Sequence, residues 1–126
     1  MTRETRETEF MRVTGRVVSA FALSEDGERA DIHFRDGTRL DLVLAGVCSR
    51  SYFHDAAQFR PLIGATIRSI EERELGEVEN PESECTRAHC LVFITDRGHE
   101  TIDWRNDSNG YYDGYVVANF EGDGRA

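Results

Sequence analysis

Lysine is absent from this 126-residue chain; all 15 basic residues are arginines, set against 24 acidic ones for a formal net charge of −9. A chain of that sign is repelled by a phosphate backbone and by an anionic bilayer, so neither general nucleic-acid binding nor membrane attachment is expected. The lysine gap reflects GC-rich coding, a mark of source and not of function. Cysteine is scarce too, with Cys48, Cys85 and Cys90 alone. An odd number closes no disulfide framework, and no apolar stretch near the start marks the chain for export. A cytoplasmic protein with reduced thiols is the expectation. No apolar run is long enough to cross a bilayer. The G-x-S-x-G elbow, the phosphate-cradling P-loop and the H-E-x-x-H zinc helix are also missing. These absences favour a binding protein over an enzyme, and nothing in the residues calls for a cofactor.

What is present suits one β-rich domain. The apolar fraction is 39%, and seven Phe, four Tyr and one Trp can fill a modest core. Residues 1–9 repeat Arg-Glu-Thr with no apolar residue after Met1, which predicts a disordered tail. Residues 10–120 form the domain, and 121–126 read as a flexible polar tail. Phe10 to Leu23 is a first strand region, with Gly15 at a bend. Ala30 to Phe34 and Thr38 to Leu44 alternate apolar with polar. Opposed residues share a face, so a two-residue loop would set Ile32 against Asp41. A three-residue loop, Arg35-Asp36-Gly37, sets Ile32 against Leu40 and Ala30 against Leu42, with Gly37 in the left-handed position.

A short helix is predicted over Tyr52 to Arg60, with Ser51 or Asp55 near its start and Pro61 as its stop. Thr66 to Leu75 is a strand, and the acidic stretch Gly76 to Thr86 is a solvated loop. Cys90 to Thr95 is an apolar strand. A second three-residue turn, Asp96-Arg97-Gly98, would set Val92 against Ile102 and Cys90 against Trp104. The fold expected is mainly β: two sequential antiparallel three-stranded meanders in a twisted sheet or partly closed sandwich, with one short helix. An α+β sheet with that helix on one face is the alternative.

The two halves echo each other. Gly15-Arg16-Val17-Val18-Ser19-Ala20 parallels Gly64-Ala65-Thr66-Ile67-Arg68-Ser69-Ile70, and Leu40-Asp41-Leu42 parallels Ile102-Asp103-Trp104. Each half ends in a polar loop before paired aromatics, Tyr52-Phe53 and Tyr111-Tyr112. If the echo is structural, these loops occupy equivalent and neighbouring places.

Three chemistries deserve weighing. Cys85, His89 and Cys90, with Cys48 or His54 as a fourth ligand, have the residue types zinc takes. Adjacent His89 and Cys90 point to opposite faces of a strand, however, so a loop thiol, a surface imidazole and a core thiol are the favoured reading. A Cys48 nucleophile with His54 as base lacks anything to fix its geometry. Carboxylate pairs carry no signal among 24 acidic residues. The aromatic loops are the best site. Tyr52, Phe53, Tyr111 and Tyr112 lie beside Arg50, Arg105, Asn106 and Asn109, and aromatic faces with planar guanidinium and amide groups suit stacking on a base or anchoring a protein. Turn architecture and core capping are the plainer account of the same residues.

At these loops the chain resembles a domain-of-unknown-function family of small bacterial and tailed-phage proteins. The resembling residues are Trp104-Arg105-Asn106-Asp107-Ser108-Asn109-Gly110-Tyr111-Tyr112, Cys48-Ser49-Arg50-Ser51-Tyr52-Phe53-His54-Asp55 and Leu62-Ile63-Gly64-Ala65-Thr66-Ile67. Order and spacing agree over roughly residues 30–118. The S-N-G-Y-Y hairpin is the most specific part. Family members often carry an acidic residue and two cysteines before the serine; here Gly46-Val47-Cys48 stands there, and no paired-cysteine role carries over. The resemblance implies a phage or prophage origin and no particular activity. The expected function is a non-enzymatic binding protein that holds a nucleotide-like ligand or a host protein through the aromatic and Arg loops, as in counter-defence sequestration. An acidic inhibitor or immunity-type protein covering a basic partner surface is the alternative. A homo-oligomer stays open.

Overall fold

Period-two alternation becomes eight strands in the computed structural model, which describes residues 1–122. Helix α1 (Arg3–Met11) precedes β1 (Val18–Leu23), β2 (Arg29–Phe34), β3 (Arg39–Gly46) and β4 (Arg50–Phe53). A 3₁₀-helix (Ala56–Leu62) leads to β5 (Ile67–Val78), β6 (Cys85–Thr95), β7 (Gly98–Ser108) and β8 (Gly114–Glu121). The protein is mainly β, with two four-stranded antiparallel sheets ordered β1-β2-β3-β8 and β4-β7-β6-β5. The two meanders of the sequence are there, β1-β2-β3 and β5-β6-β7. Each gains its fourth strand from the other half of the chain. Ile32, Leu40, Leu42 and Val116 from one sheet and Leu91, Phe93, Ile102 and Trp104 from the other lie in one shared core.

The sequence echo is a local pseudo-two-fold junction between these sheets. Gly15 N–H donates to Ile67 O (2.7 Å), and Gly64 N–H donates to Val18 O (2.8 Å). Ile67 N–H reaches Arg16 O, and Val18 N–H reaches Ala65 O, both at 3.0 Å. The bridge Val17↔Thr66 sits at the centre. Gly15 and Gly64 have φ of 85° and 87°, which a side chain resists and glycine accepts. The aromatic pairs do not follow this symmetry. Tyr52 and Phe53 lie inside β4, whereas Tyr111 and Tyr112 lie in the loop before β8.

The first hairpin has the register that face parity requires: Ile32↔Leu40 and Ala30↔Leu42, with Gly37 at φ 88°. The second differs by one residue. Thr95 pairs with Gly98, so the loop is Asp96-Arg97, and Trp104 faces His89 while Cys90 faces Asp103. The reason is that β6 buries both faces: Ala88, Cys90 and Val92 are buried, and so are Leu91 and Phe93. A strand apolar on both sides carries no parity signal.

Four other expectations change. Residues 1–9 are not a disordered tail but most of α1, and Phe10 to Leu23 is strand only from Val18. The N-cap Thr2 accepts from Thr5 N–H, and Arg3 pairs with Glu7 one turn on. Apolar content hides this helix because much of its docking is polar. Arg6 grips both oxygens of Glu72 on β5 at 3.0 Å, and Glu9 Oε1 accepts the Phe120 N–H on the outer edge of β8 at 3.0 Å. Buried Phe10 adds the apolar anchor. The helix expected over Tyr52 to Arg60 is strand to Phe53 and then 3₁₀, capped by Asp55 on Ala57 N–H. Pro61 lies inside it, since its fixed φ fits a helical turn. The Gly76–Thr86 loop shrinks to residues 79–84, because β5 continues past a bulge at Leu75 to Val78. Of the tail expected at 121–126, Glu121 closes β8 and residues 123–126 lie outside the described residues.

Edge strands need protection from unwanted pairing, and α1 supplies it for β8. Replacing Glu9 by Ala strips the Phe120 N–H of its acceptor. This variant should lose about 1 kcal/mol in urea denaturation and self-associate more in sedimentation, while Glu9→Gln keeps an acceptor and stays near wild type.

Candidate functional site

Pairing of β4 with β7 brings the two aromatic stretches side by side, with Arg50↔Asp107, Ser51↔Asn106, Tyr52↔Arg105 and Phe53↔Trp104. Alternation then sorts them. Arg50, Tyr52, Arg105 and Asp107 share the outer face. There the Tyr52 hydroxyl donates to Asp107 Oδ1 (3.1 Å), which also accepts from the Thr86 hydroxyl (2.7 Å) and from Asn80 Nδ2 (3.4 Å). The Arg50 guanidinium lies 4.6 Å over the Tyr52 ring. Burial, and then the charge and hydrogen bond of Asp107, push the Tyr52 phenol above its usual pKa.

The inner face is structural. Phe53 is buried and meets Phe59 edge-on at 5.2 Å between ring centroids. Asn106 is fully buried, and its Nδ2 donates to Ser49 Oγ (3.0 Å) and Ser51 Oγ (2.9 Å). Space for this knot comes from Gly46 and Gly114, which pair across β3 and β8. A Cβ on Gly46 would sit 2.5 Å from Ser49 Oγ, and one on Gly114 would overlap Ser51 Oγ and come 3.0 Å from Asn106 Nδ2.

Between the knot and solvent, the β7–β8 loop carries the tip. Tyr111 is 89% exposed and Tyr112 is 38% exposed, with Asn109 also at the surface. Yet the backbone beneath them is clamped. Arg87 donates to Gly110 O (3.1 Å) and Tyr112 O (3.3 Å), the Ser108 hydroxyl donates to Tyr112 O (2.9 Å), and Asn109 Oδ1 accepts from Tyr111 N–H (3.1 Å). The loop ends at Asp113, whose Oδ1 lies 2.8 Å from His89 Nε2 and accepts the Gly114 N–H at 2.7 Å. The His89 ring is stacked on Trp104 at 4.1 Å and 11°.

Of the eight predicted site residues, Arg50, Tyr52, Asn109, Tyr111 and Tyr112 reach the surface at this end. Arg105 is half-buried on the outer face, and Phe53 and Asn106 serve the interior. Cys85, His89 and Cys90 do not converge. Cys90 is on the opposite face from His89, and Cys85 is four strand residues away, about 13 Å along β6. Cys48 and His54 flank the ends of β4, so they form no dyad. His89 instead meets Asp113 and Glu74; among the described residues these three form a group with metal-ligand chemistry. Sequence reading missed Asp113, Glu74 and the clamp Arg87. The Asp-Gly after Tyr-Tyr was the available signal for Asp113.

The S-N-G-Y-Y segment expected as a hairpin is instead a crossover, because β7 pairs with β4 and β6 while β8 pairs with β3 in the other sheet. Two interlocked four-stranded antiparallel sheets with an aromatic-tipped crossover loop at one end define a small mainly-β protein. The chain belongs to the family described as Domain of unknown function (DUF7448), whose profile matches residues 10–118. The match spans every strand core and the tip, and it starts after most of α1. No curated protein and no solved structure shows significant similarity to the chain. No helix among the described residues is long and apolar enough to cross a membrane.

Two variants test this geometry. Gly114→Ala should cost about 1–3 kcal/mol by overpacking, and adding Ser51→Ala should return part of that loss by removing the hydroxyl it strikes. Tyr52→Phe should cost about 1 kcal/mol at neutral pH. Because the folded-state phenol titrates above the unfolded one, its contribution is complete below the ordinary tyrosine pKa and fades as pH rises through the folded value. The stability–pH curve of Tyr52→Phe should therefore fall less steeply at alkaline pH.

Proposed function

We propose that this protein is a non-enzymatic binding protein whose contact surface is the tip of the β7–β8 loop, with Tyr111 as its anchor. The observation that carries this is the pairing of an 89% exposed Tyr111 with a clamped backbone. An exposed aromatic is costly in water, and a rigid loop loses little entropy when it docks. Tyrosines presented this way are typical interface hot spots. Tyr111 stands out into solvent, Arg50 covers a face of Tyr52, and Phe53 and Asn106 are internal. That arrangement favours a protein partner with a pocket for Tyr111 over a base sandwiched between rings. In a phage setting the partner would be a host defence protein, and the mode of action would be sequestration.

A second reading rests on a separate surface. β5 is the terminal strand of its sheet, and Glu71, Glu74, Glu77, Glu79, Glu82 and Glu84 are exposed along it and the following loop. That edge suits a basic partner.

Capture of a partner from host lysate by wild type and by Tyr111→Ala separates the readings. Loss of an affinity on the order of 2 kcal/mol with Tyr111→Ala supports the tip. Unchanged capture that weakens steeply with salt supports the acidic edge. A thermal shift with free nucleotides that Tyr111→Ala removes would instead restore the nucleotide-like ligand.

A further inference from the structure

His89 is buried in a strand, stacked on one neighbour and bonded to another, and it stands between two open clefts. One, of about 400 Å³, is lined by Arg6, Arg73, Glu74, Trp104 and Tyr115 among others. The second, of about 350 Å³, is lined by Glu74, Gly76, Glu77, Arg87 and Asp113. Glu74 and His89 belong to both. Glu74 faces His89 across β5 and β6, and Asp113 arrives from the β7–β8 loop.

We propose that Glu74, His89 and Asp113 form a binding site for a divalent first-row transition metal, with zinc as the expected occupant. One donor atom from each of the three lies within 4.8 Å of the others. Tetrahedral zinc bonds of about 2.0–2.2 Å set donors about 3.3–3.6 Å apart, so the 2.8 Å contact of His89 Nε2 with Asp113 Oδ1 opens to admit the ion and exposed Glu74 turns inward to meet it. The stack on Trp104 fixes the imidazole plane, so the least mobile ligand is already placed. One imidazole with two carboxylates suits zinc or manganese better than magnesium or calcium, which take oxygen alone. The clefts leave a fourth position open to water. In the second cleft Glu74, Glu77 and Asp113 face one guanidinium, that of Arg87, whose Nη1 is 3.9 Å from Asp113 Oδ2. The first cleft adds Arg3, Arg6 and Arg73, each paired with a carboxylate of its own, Glu7, Glu72 and Glu71. A bound ion would pin the last residue of the tip loop to the edge strand β5. This site does not depend on what the tip recognises.

The test is calorimetric titration of the chelator-stripped full chain with zinc, with manganese and magnesium as comparators. One zinc per chain and a raised Tm are expected, with magnesium silent. Glu74→Gln and Asp113→Asn should each weaken zinc by at least about tenfold, the scale on which even outer ligands act. Both retain hydrogen-bonding shape, and circular dichroism checks that they fold. The Cys48→Ser/Cys85→Ser double variant should bind as wild type does. The proposal is overturned by absent zinc binding, by binding that survives both carboxylate variants, or by binding lost with the thiols.

Discussion

The exchange of fourth strands between the two halves is the constraint on which this structure depends. A three-stranded meander leaves an unpaired edge, and each half here has one strand too many to close on itself. β8 returns to β3 and β4 crosses to β7. Neither sheet is complete without the other half, so the two must fold as one cooperative unit. The junction of Gly15–Val18 with Gly64–Ile67 ties the far ends together with four backbone hydrogen bonds related by a pseudo-two-fold. What begins as sequence similarity between two segments ends as their pairing with each other.

That interlock also builds the end that carries the aromatic tip. Because β4 lies against β7 while β8 lies against β3, the β3–β4 and β7–β8 connections come together. Gly46 and Gly114 permit the close approach, and the buried Asn106 with Ser49 and Ser51 locks it. Only in this register does the buried Asn106 Nδ2 find both serine hydroxyls, while its Oδ1 is left without a protein partner. The tip above it inherits that rigidity through Arg87 and Asp113. An exposed Tyr111 on a loop held at several backbone atoms is a different object from an exposed tyrosine on a loose loop.

The polar docking of α1 follows the same logic on the other side. Arg6 and Glu9 are exposed-looking residues in a repeat of charges, yet they satisfy a carboxylate on one sheet and a bare N–H on the other. The helix closes the gap between β5 and the edge of β8. Such contacts leave no periodic apolar signature, which is why composition pointed to disorder there.

Local sequence by itself determined the β class, most strand positions, and the three-residue first turn, since each follows from period-two alternation and from glycine's tolerance of positive φ. It also marked out the aromatic loops at one end of the molecule, through Tyr52, Tyr111 and Tyr112. Only the tertiary structure decided which side chains there face solvent, because Phe53 and Asn106 look as functional in sequence as Tyr111 does. It alone set the register of the second hairpin, where β6 is apolar on both faces and parity is silent. And it alone joined His89 to Asp113 and Glu74. Partner choice between distant strands rests on which edges meet after the chain collapses, and nothing within any one segment encodes that.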